Sequence, residues 1–316
     1  MTVRYGIIST AQIVPRFVEG VRQSKEGEVT AIASRSIEKA EKMAGELSIP
    51  KAYGSYEALC QDEAVDVIYI ATYNKGHYEA AKLALSYDKH VLLEKPFTLT
   101  TAEATELFEL AQKKTLFLME AQKAVFLPIT QEVKALIAQK AIGKIQFVNS
   151  VTAYPNIEHL TWFHSLDSGG GLLHGSGSYP LHYLSYLFGD IEEYSGSANV
   201  SEGVDEQVNI TVKFDSDLLA NLFLTVKLDL PSKLTLYGEK GRIEIPDFWK
   251  AKRAMIYDNF GHEEEILTAF ENEFTFEVDH VNTCIKNKQI TSSIMTKERT
   301  IQTVNLVESF YKQWFR

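Results

Sequence analysis

Apolar positions in the first third of the chain fall into short blocks separated by helical stripes. Residues 3–8 (VRYGII) form one block, Ile13, Phe17 and Val21 recur at four-residue spacing, and residues 29–33 form a second block. Strand-length blocks flanking a stripe of helical period read as strand, helix, strand. The alternation continues with helical patterns over 37–47 and 56–60, a strand over 65–71, a helix over 78–87, a strand over 90–93, a helix over 102–113 and a strand over 116–120. These five strand runs, within about 120 residues, fit the six-stranded alternation and the size of a dinucleotide-binding domain. Strands separated by helices predict a parallel, doubly wound sheet. The boundary is expected near Ala121, giving domains 1–121 and 122–316.

Beyond that boundary the period changes. A helical pattern over 128–139 is followed by alternation over 144–153, and Val208, Ile210, Val212 and Phe214 then face one way. The same period of two recurs at Leu218, Ala220, Leu222, Leu224 and Val226, and more briefly at Leu234 with Leu236 and at Ile243 with Ile245. These segments read as antiparallel neighbours in one sheet that buries one face under helices and leaves the other open. The fold class expected is therefore α/β: an N-terminal Rossmann-type sheet and a C-terminal α/β domain with an open, mainly antiparallel sheet. A broad open face is a common subunit interface, so a homo-oligomer, a dimer or a dimer of dimers, is expected through the C-terminal sheet. A last stripe, Thr300, Val304, Val307, Tyr311 and Trp314, has the spacing of an amphipathic helix whose apolar side is core.

Length agrees with two domains, since 316 residues exceed the usual single core. Charge narrows the partners: a formal net charge of −10 disfavours a nucleic-acid backbone, which needs a basic surface. The longest apolar runs, such as 65–72, fall well short of the about 20 residues of a membrane span, and Arg4 interrupts any leader-like start. The expected location is the cytoplasm, with no membrane partner. Cys60 and Cys284 are too far apart in sequence for a metal knuckle or a Cys-x-x-Cys pair and are expected to be reduced. Neither a His-Glu-x-x-His nor a Gly-x-Ser-x-Gly pattern occurs, so no metal is expected and the zinc- and serine-hydrolase classes lose their usual support.

Two features of the first domain suit a dinucleotide. The turn after the first strand runs from Gly6 through Ser9, Thr10, Ala11, Gln12 and Ile13, with one glycine of the Rossmann pattern and small residues at the next two places. Small residues still permit close approach of backbone amides and a helix N-terminus to a pyrophosphate, and the Ser9 and Thr10 hydroxyls can donate to its oxygens. A plain structural turn competes with that reading. The second strand ends in Ala33-Ser34-Arg35-Ser36, where NAD-binding domains usually carry an acidic residue for the ribose. Ser34 and the Arg35 fork suit a 2′-phosphate, which favours NADP(H) over NAD(H). A solvated arginine at a helix start is the alternative.

At the end of the fifth strand, Glu94-Lys95-Pro96 puts an ionisable pair at the carboxyl edge of the sheet, where ligands of such folds bind. A partly desolvated lysine there has a lowered pKa and can exchange protons or polarise a carbonyl. Here the sequence resembles the Gfo/Idh/MocA oxidoreductases over essentially its whole length. The resemblance is carried by residues 6–13, Ala71-Thr72-Tyr73-Asn74-Lys75-Gly76-His77, Glu94-Lys95-Pro96, Met119-Glu120-Ala121 and Gly169-Gly170-Gly171-Leu172-Leu173.

The resemblance implies that Lys95 is the catalytic lysine and that Glu94 is its neighbour at the cofactor. Ala71 and Thr72 belong to the cofactor side, with Asn74 and His77 on the nicotinamide-side loop. Counting on from Gly171, Gly175 takes the place of a frequent aspartate and Tyr179 that of the proton donor, as in dihydrodiol dehydrogenase-like members. His174 stands beside the missing aspartate as a substitute or as a structural histidine. Tyr73 replaces the usual proline of its loop, and Lys123 and Val125 stand where many members have tryptophan and arginine. Lys123, Trp162 and Phe163 are candidates for the substrate pocket, or for surface or interface packing. The activity implied is hydride transfer between NADP(H) and a small sugar, polyol, dihydrodiol or similar compound, with Lys95 and Tyr179 as acid/base groups. The alternative is a non-catalytic dinucleotide-binding sensor or regulatory subunit.

Overall fold

The computed structural model describes residues 2–315, and the chain divides into two compact units. The first holds the residues up to Gln122 together with Asn272–Asn305, and the second holds Lys123–Glu271 together with the residues from Leu306 on. The chain thus returns to its first unit near the C-terminus, unlike the single boundary expected near Ala121.

The first unit alternates β1 (Val3–Ile8), α1 (Val14–Gln23), β2 (Gly27–Ala33), α2 (Ile37–Glu46), β3 (Lys51–Tyr53), α3 (Tyr56–Cys60), β4 (Val67–Ile70), α4 (His77–Ser86), β5 (His90–Glu94), α5 (Thr101–Lys114) and β6 (Leu118–Ala121). The six strands form one parallel sheet in the order β3-β2-β1-β4-β5-β6. Strands covered on both faces read as continuous apolar runs, and all four residues of β4 are buried. The helices carry their own start signals. Pro15 sits in the first turn of α1, Ser36 caps α2, and Thr100 with Glu103 forms a reciprocal capping box on α5.

The second unit contains α6 (Pro128–Ala138), β7 (Ile145–Ala153), α7 (Ser178–Phe188), β8 (Ile191–Ser201), β9 (Val204–Phe214), β10 (Leu219–Thr225), β11 (Lys233–Gly238), β12 (Gly241–Pro246), β13 (Arg253–Asp258) and β14 (Glu263–Leu267). Its eight strands pair in the order β14-β13-β12-β11-β7-β10-β9-β8. All pairs are antiparallel except β7 with β10. One face buries Val148, Val208, Ile210, Val212, Ala220, Leu222, Leu224, Leu234, Leu236, Ile243 and Ile245. On the other, Leu219, Phe147 and Tyr237 lie side by side across β10, β7 and β11, each more than a third exposed. The chain ends with α8 (Thr275–Lys286), which belongs to the first unit and holds the Tyr5 hydroxyl through Asn282, and α9 (Lys297–Trp314), within which the division between the units falls.

Candidate functional site

Strand register sets the first half of the site. Ile8 pairs with Ala33 and with Ile70, and Ile70 pairs with Leu93. The next residues, Ser9, Ser34, Ala71 and Glu94, therefore stand at one level, Glu94 as the last residue of β5. That level is the carboxyl edge, at the point between β1 and β4 where the strand order reverses, and ligands of doubly wound sheets bind there. Ser9, Thr10, Ala11, Gln12, Ile13, Ser34, Arg35, Ala71, Thr72, Asn74, His77, Glu94 and Lys95 are all brought to this edge.

The turn after β1 closes on itself: the Ala11 amide donates to the Ser9 hydroxyl at 2.9 Å. Gly6 serves differently from the sequence expectation. It lies within β1, where a Cβ would come within 2.9 Å of Val65 and within 3.2 Å of Ile68 and Leu59. Its missing side chain lets the layer beneath the strand pack closely.

Arg35 stands exposed beyond β2, near the half-buried Tyr56, whose pKa burial raises. A cavity of about 310 Å³ opens beside this pair, lined also by Glu57, Thr72, Tyr73 and Glu79. Arg35 is the one cation among the residues that line it.

His77 is almost wholly buried. Its Nδ1 lies 2.7 Å from the Pro96 carbonyl oxygen and its Nε2 3.1 Å from that of Thr72, so it ties the loop after β4 to the loop after β5. Burial holds its pKa below the ordinary histidine value. Glu94 is fixed at both oxygens: Oε1 accepts from the Tyr69 hydroxyl at 2.7 Å and Oε2 from the Lys95 amide at 3.1 Å. Burial of the Lys95 ammonium pulls its pKa below the ordinary lysine value, against the opposing charges of Glu94 and the buried Glu120. A lysine so placed exchanges a proton more readily near neutral pH than a solvated one.

The second group of candidates, Lys123, Trp162, Phe163, His174 and Tyr179, lies in the second unit, apart in the chain from Lys95. The glycine run is held by close packing. A Cβ on Gly170 would meet the carbonyl oxygens of Phe163 and Trp162. Gly171 adopts φ +97°, and a Cβ there would run into the Asp205 carboxylate and the Tyr311 hydroxyl. The fully buried Asp205 accepts from the Leu173 amide and the Tyr311 hydroxyl, both at 2.7 Å, and burial raises its pKa. Above this network a π-helical turn, Leu173–Gly177, leads into α7. Such turns often sit at functional sites.

His174 faces inward. Its Nδ1 pairs with the Gly170 carbonyl at 3.0 Å, its ring stacks on Tyr311 at 3.7 Å, and its Nε2 is enclosed without a hydrogen-bond partner. Burial lowers its pKa to about 4, so it is neutral at physiological pH. Gly175 and Tyr179 lie one turn apart on the same side. A Cβ on Gly175 would meet only the Trp162 ring, at 3.6 Å, and Tyr179 packs 6.1 Å from Trp249. Trp162 is half-buried, while Phe163 and Lys123 are buried. Sequence reasoning missed Tyr56, Tyr69 and Asp205. Its reading of Tyr311 as a core residue overlooked the hydroxyl bound to Asp205.

Fold, edge and glycine turn define a class, and the chain belongs to the GFO/IDH/MocA oxidoreductases. Residues 3–122 match that family's NAD-binding Rossmann fold and residues 130–244 its C-terminal domain. The protein is thus an NAD(P)-binding oxidoreductase. Among curated proteins, it is similar to the trans-1,2-dihydrobenzene-1,2-diol dehydrogenase of Xenopus laevis, 32% identical over 94% of this chain and 93% of that one. It is also 30% identical to the human enzyme of that name, over 78% of this chain and 75% of that one. A 3-ketoreductase from Actinomadura kijaniata, in complex with NADP and TDP-benzene, superposes with a TM-score of 0.88 at 22% identity, over 98% of this chain and 97% of that one. An aldose-aldose oxidoreductase from Caulobacter crescentus also gives 0.88, at 21% identity over 99% and 97%. Among the described residues no cluster of three or more His, Cys, Asp or Glu side chains is placed to hold a metal, and no helix is long and apolar enough to cross a membrane.

Proposed function

We propose that the protein is an NADP(H)-preferring dehydrogenase or reductase acting on a small ring-bearing diol or carbonyl compound, with Lys95 and Tyr179 as its acid/base groups. The observation that carries this reading is Lys95 at the carboxyl edge, its pKa lowered by burial, beside the pinned Glu94. The dinucleotide, when bound, supplies or accepts the hydride. The β1 turn, with Ser9 and Thr10, would hold its pyrophosphate and Arg35 its 2′-phosphate. Lys95 stabilises charge developing on the substrate oxygen, and Tyr179 completes proton transfer.

The surroundings of Tyr179 support the substrate class. With no carboxylate at Gly175, and with Trp162 and Trp249 close by, this side of α7 offers ring faces rather than the anionic groups that hold polyhydroxylated sugars. Dihydrodiols, the substrates in the curated relatives' name, suit such a lining. The exposed row of Leu219, Phe147 and Tyr237 supports a homo-oligomer formed through the open sheet face. Cytoplasmic location belongs to the same reading, and the two buried free thiols, Cys60 and Cys284, agree with a reducing compartment.

Fluorescence titration with NADPH and NADH, followed by a panel of dihydrodiols, sugars, polyols and dicarbonyls, tests the reading. Tighter binding of NADPH and turnover of a dihydrodiol or cyclic ketone are expected. Binding without turnover of any compound would indicate a dinucleotide sensor, and binding of neither cofactor would refute the reading altogether.

A further inference from the structure

Tyr69 sits in the middle of β4, opposite Ile7 of β1 and Leu92 of β5. Side chains alternate along a strand, so Tyr69, Leu92 and Glu94 project from the same face of the sheet. Tyr69 is fully buried, and its ring lies flat on Phe17 of α1 at 3.5 Å between centroids and 6° between planes. Its hydroxyl reaches out of this apolar stack to donate to Glu94 Oε1 at 2.7 Å. Strand interiors of this kind are ordinarily filled by aliphatic side chains, as Ile7, Ile68 and Leu92 are here. A phenol there needs a partner for its hydroxyl, and that partner is the carboxylate beside Lys95.

The Lys95 amide holds the other carboxylate oxygen, so Glu94 has one orientation. Without the phenol, one of these two anchors is gone and the carboxylate can turn about its side-chain bonds. The Phe17 ring beneath Tyr69 also belongs to the helix that follows the pyrophosphate turn. One stack therefore joins the phosphate end of the edge to the Glu94 and Lys95 end.

We propose that Tyr69 is a positioning residue for dinucleotide binding, acting through Glu94 to fix its carboxylate at the nicotinamide end of the edge. This rests on the NAD(P) reading above. Tyr69 does not line the cavity beside Arg35, and its hydroxyl acts on Glu94, so its loss is expected to weaken the hold on the nicotinamide half of the ligand and to spare the adenosine half.

The test is a double-mutant cycle on ligand affinity, with Tyr69→Phe, Glu94→Gln and both together, titrated by fluorescence with NADPH and, separately, with adenosine 2′,5′-bisphosphate. Tyr69→Phe keeps the ring and its stack, and Glu94→Gln keeps an acceptor for Tyr69 while removing the charge. Loss of a hydrogen bond to a charged group predicts NADPH binding about tenfold weaker for Tyr69→Phe, with the bisphosphate unaffected. In the Glu94→Gln background the same substitution should have little further effect. Equal NADPH affinity in Tyr69→Phe and wild type would overturn the proposal. So would equal weakening of both ligands, or the full loss recurring in the Glu94→Gln background. Wild-type protein that bound neither ligand would refute the cofactor reading itself and this inference with it.

Discussion

Acidification should loosen the second unit through His174, by an amount that follows from where the ring sits. The side chain is 6% exposed, donates from Nδ1 to the Gly170 carbonyl and lies on the Tyr311 ring, and its pKa falls from 6.5 to about 4. Below pH 6.5 the unfolded chain takes up a proton at this position, whereas the native fold refuses it until about pH 4. The unfolded state binds more protons across that window, so stability falls with pH at up to ~1.36 kcal/mol per pH unit, about 3 kcal/mol in all. His77, His90 and His280 are also lowered by burial and act in the same direction. Asp205 is raised and acts in the opposite one, since its native carboxyl takes up a proton before the unfolded one does. The wild-type pH curve alone therefore does not isolate His174, but its difference from His174→Asn does. Asparagine keeps an amide donor for Gly170 and does not titrate. All three tryptophans, Trp162, Trp249 and Trp314, lie in the second unit, so urea denaturation followed by tryptophan fluorescence reports the relevant unfolding. The variant should be less stable at pH 7 because the ring stack is lost. By pH 4.5 the gap should have moved in the variant's favour by about 2–3 kcal/mol. Parallel stability curves for the two proteins would refute this account of His174.

Three further perturbations test the site and its frame. Lys95→Ala should lower turnover of any accepted substrate by about 10²–10⁴-fold while leaving NADPH affinity, measured by fluorescence, unchanged. Arg35→Ala should weaken NADPH by about 10- to 100-fold and leave NADH unaltered, because only the 2′-phosphate loses its charge-assisted donor. Gly171→Ala forces a Cβ toward Asp205 at positive φ and should cost about 2–4 kcal/mol in urea denaturation, with the Rossmann unit's cofactor affinity retained.

The parallel sheet was readable in the sequence because its strands are buried on both faces and stand out as apolar blocks between helical stripes. The third strand escaped: Lys51–Tyr53 is a three-residue edge strand with no buried residue and no room for a period. In the second unit the central strands β9 and β10 declared themselves by alternation, but β8 and β14 did not. These are the outer strands of the sheet, and polar edges that discourage further pairing erase the alternation. Helix α7 was lost for the opposite reason, since eight of its eleven residues are buried and no polar face marks a stripe. The return of residues 272–305 to the first unit had no local signature, because tertiary contacts such as Asn282 with Tyr5 decide it.

The candidate site divides along the same line. Residues presented by strand ends, Arg35, Glu94 and Lys95, could be found by position, since a doubly wound sheet delivers its carboxyl ends to one edge whatever the side chains are. Residues that hold those groups in place could not. Tyr69 looks like one more apolar strand residue until its hydroxyl is traced to Glu94, and Asp205 lies 32 positions from the Leu173 amide it accepts. The glycines show both sides of the limit. The run at 169–171 was recognisable as a motif, yet its cause is a buried carboxylate and a phenol from β9 and α9 pressed against the backbone. Gly6, at the expected first place of a phosphate turn, instead makes room for Val65. A motif position therefore locates a site, while the contacts of its backbone decide which physical demand each glycine meets. Gly171→Ala tests that demand in the second unit, where no phosphate is expected.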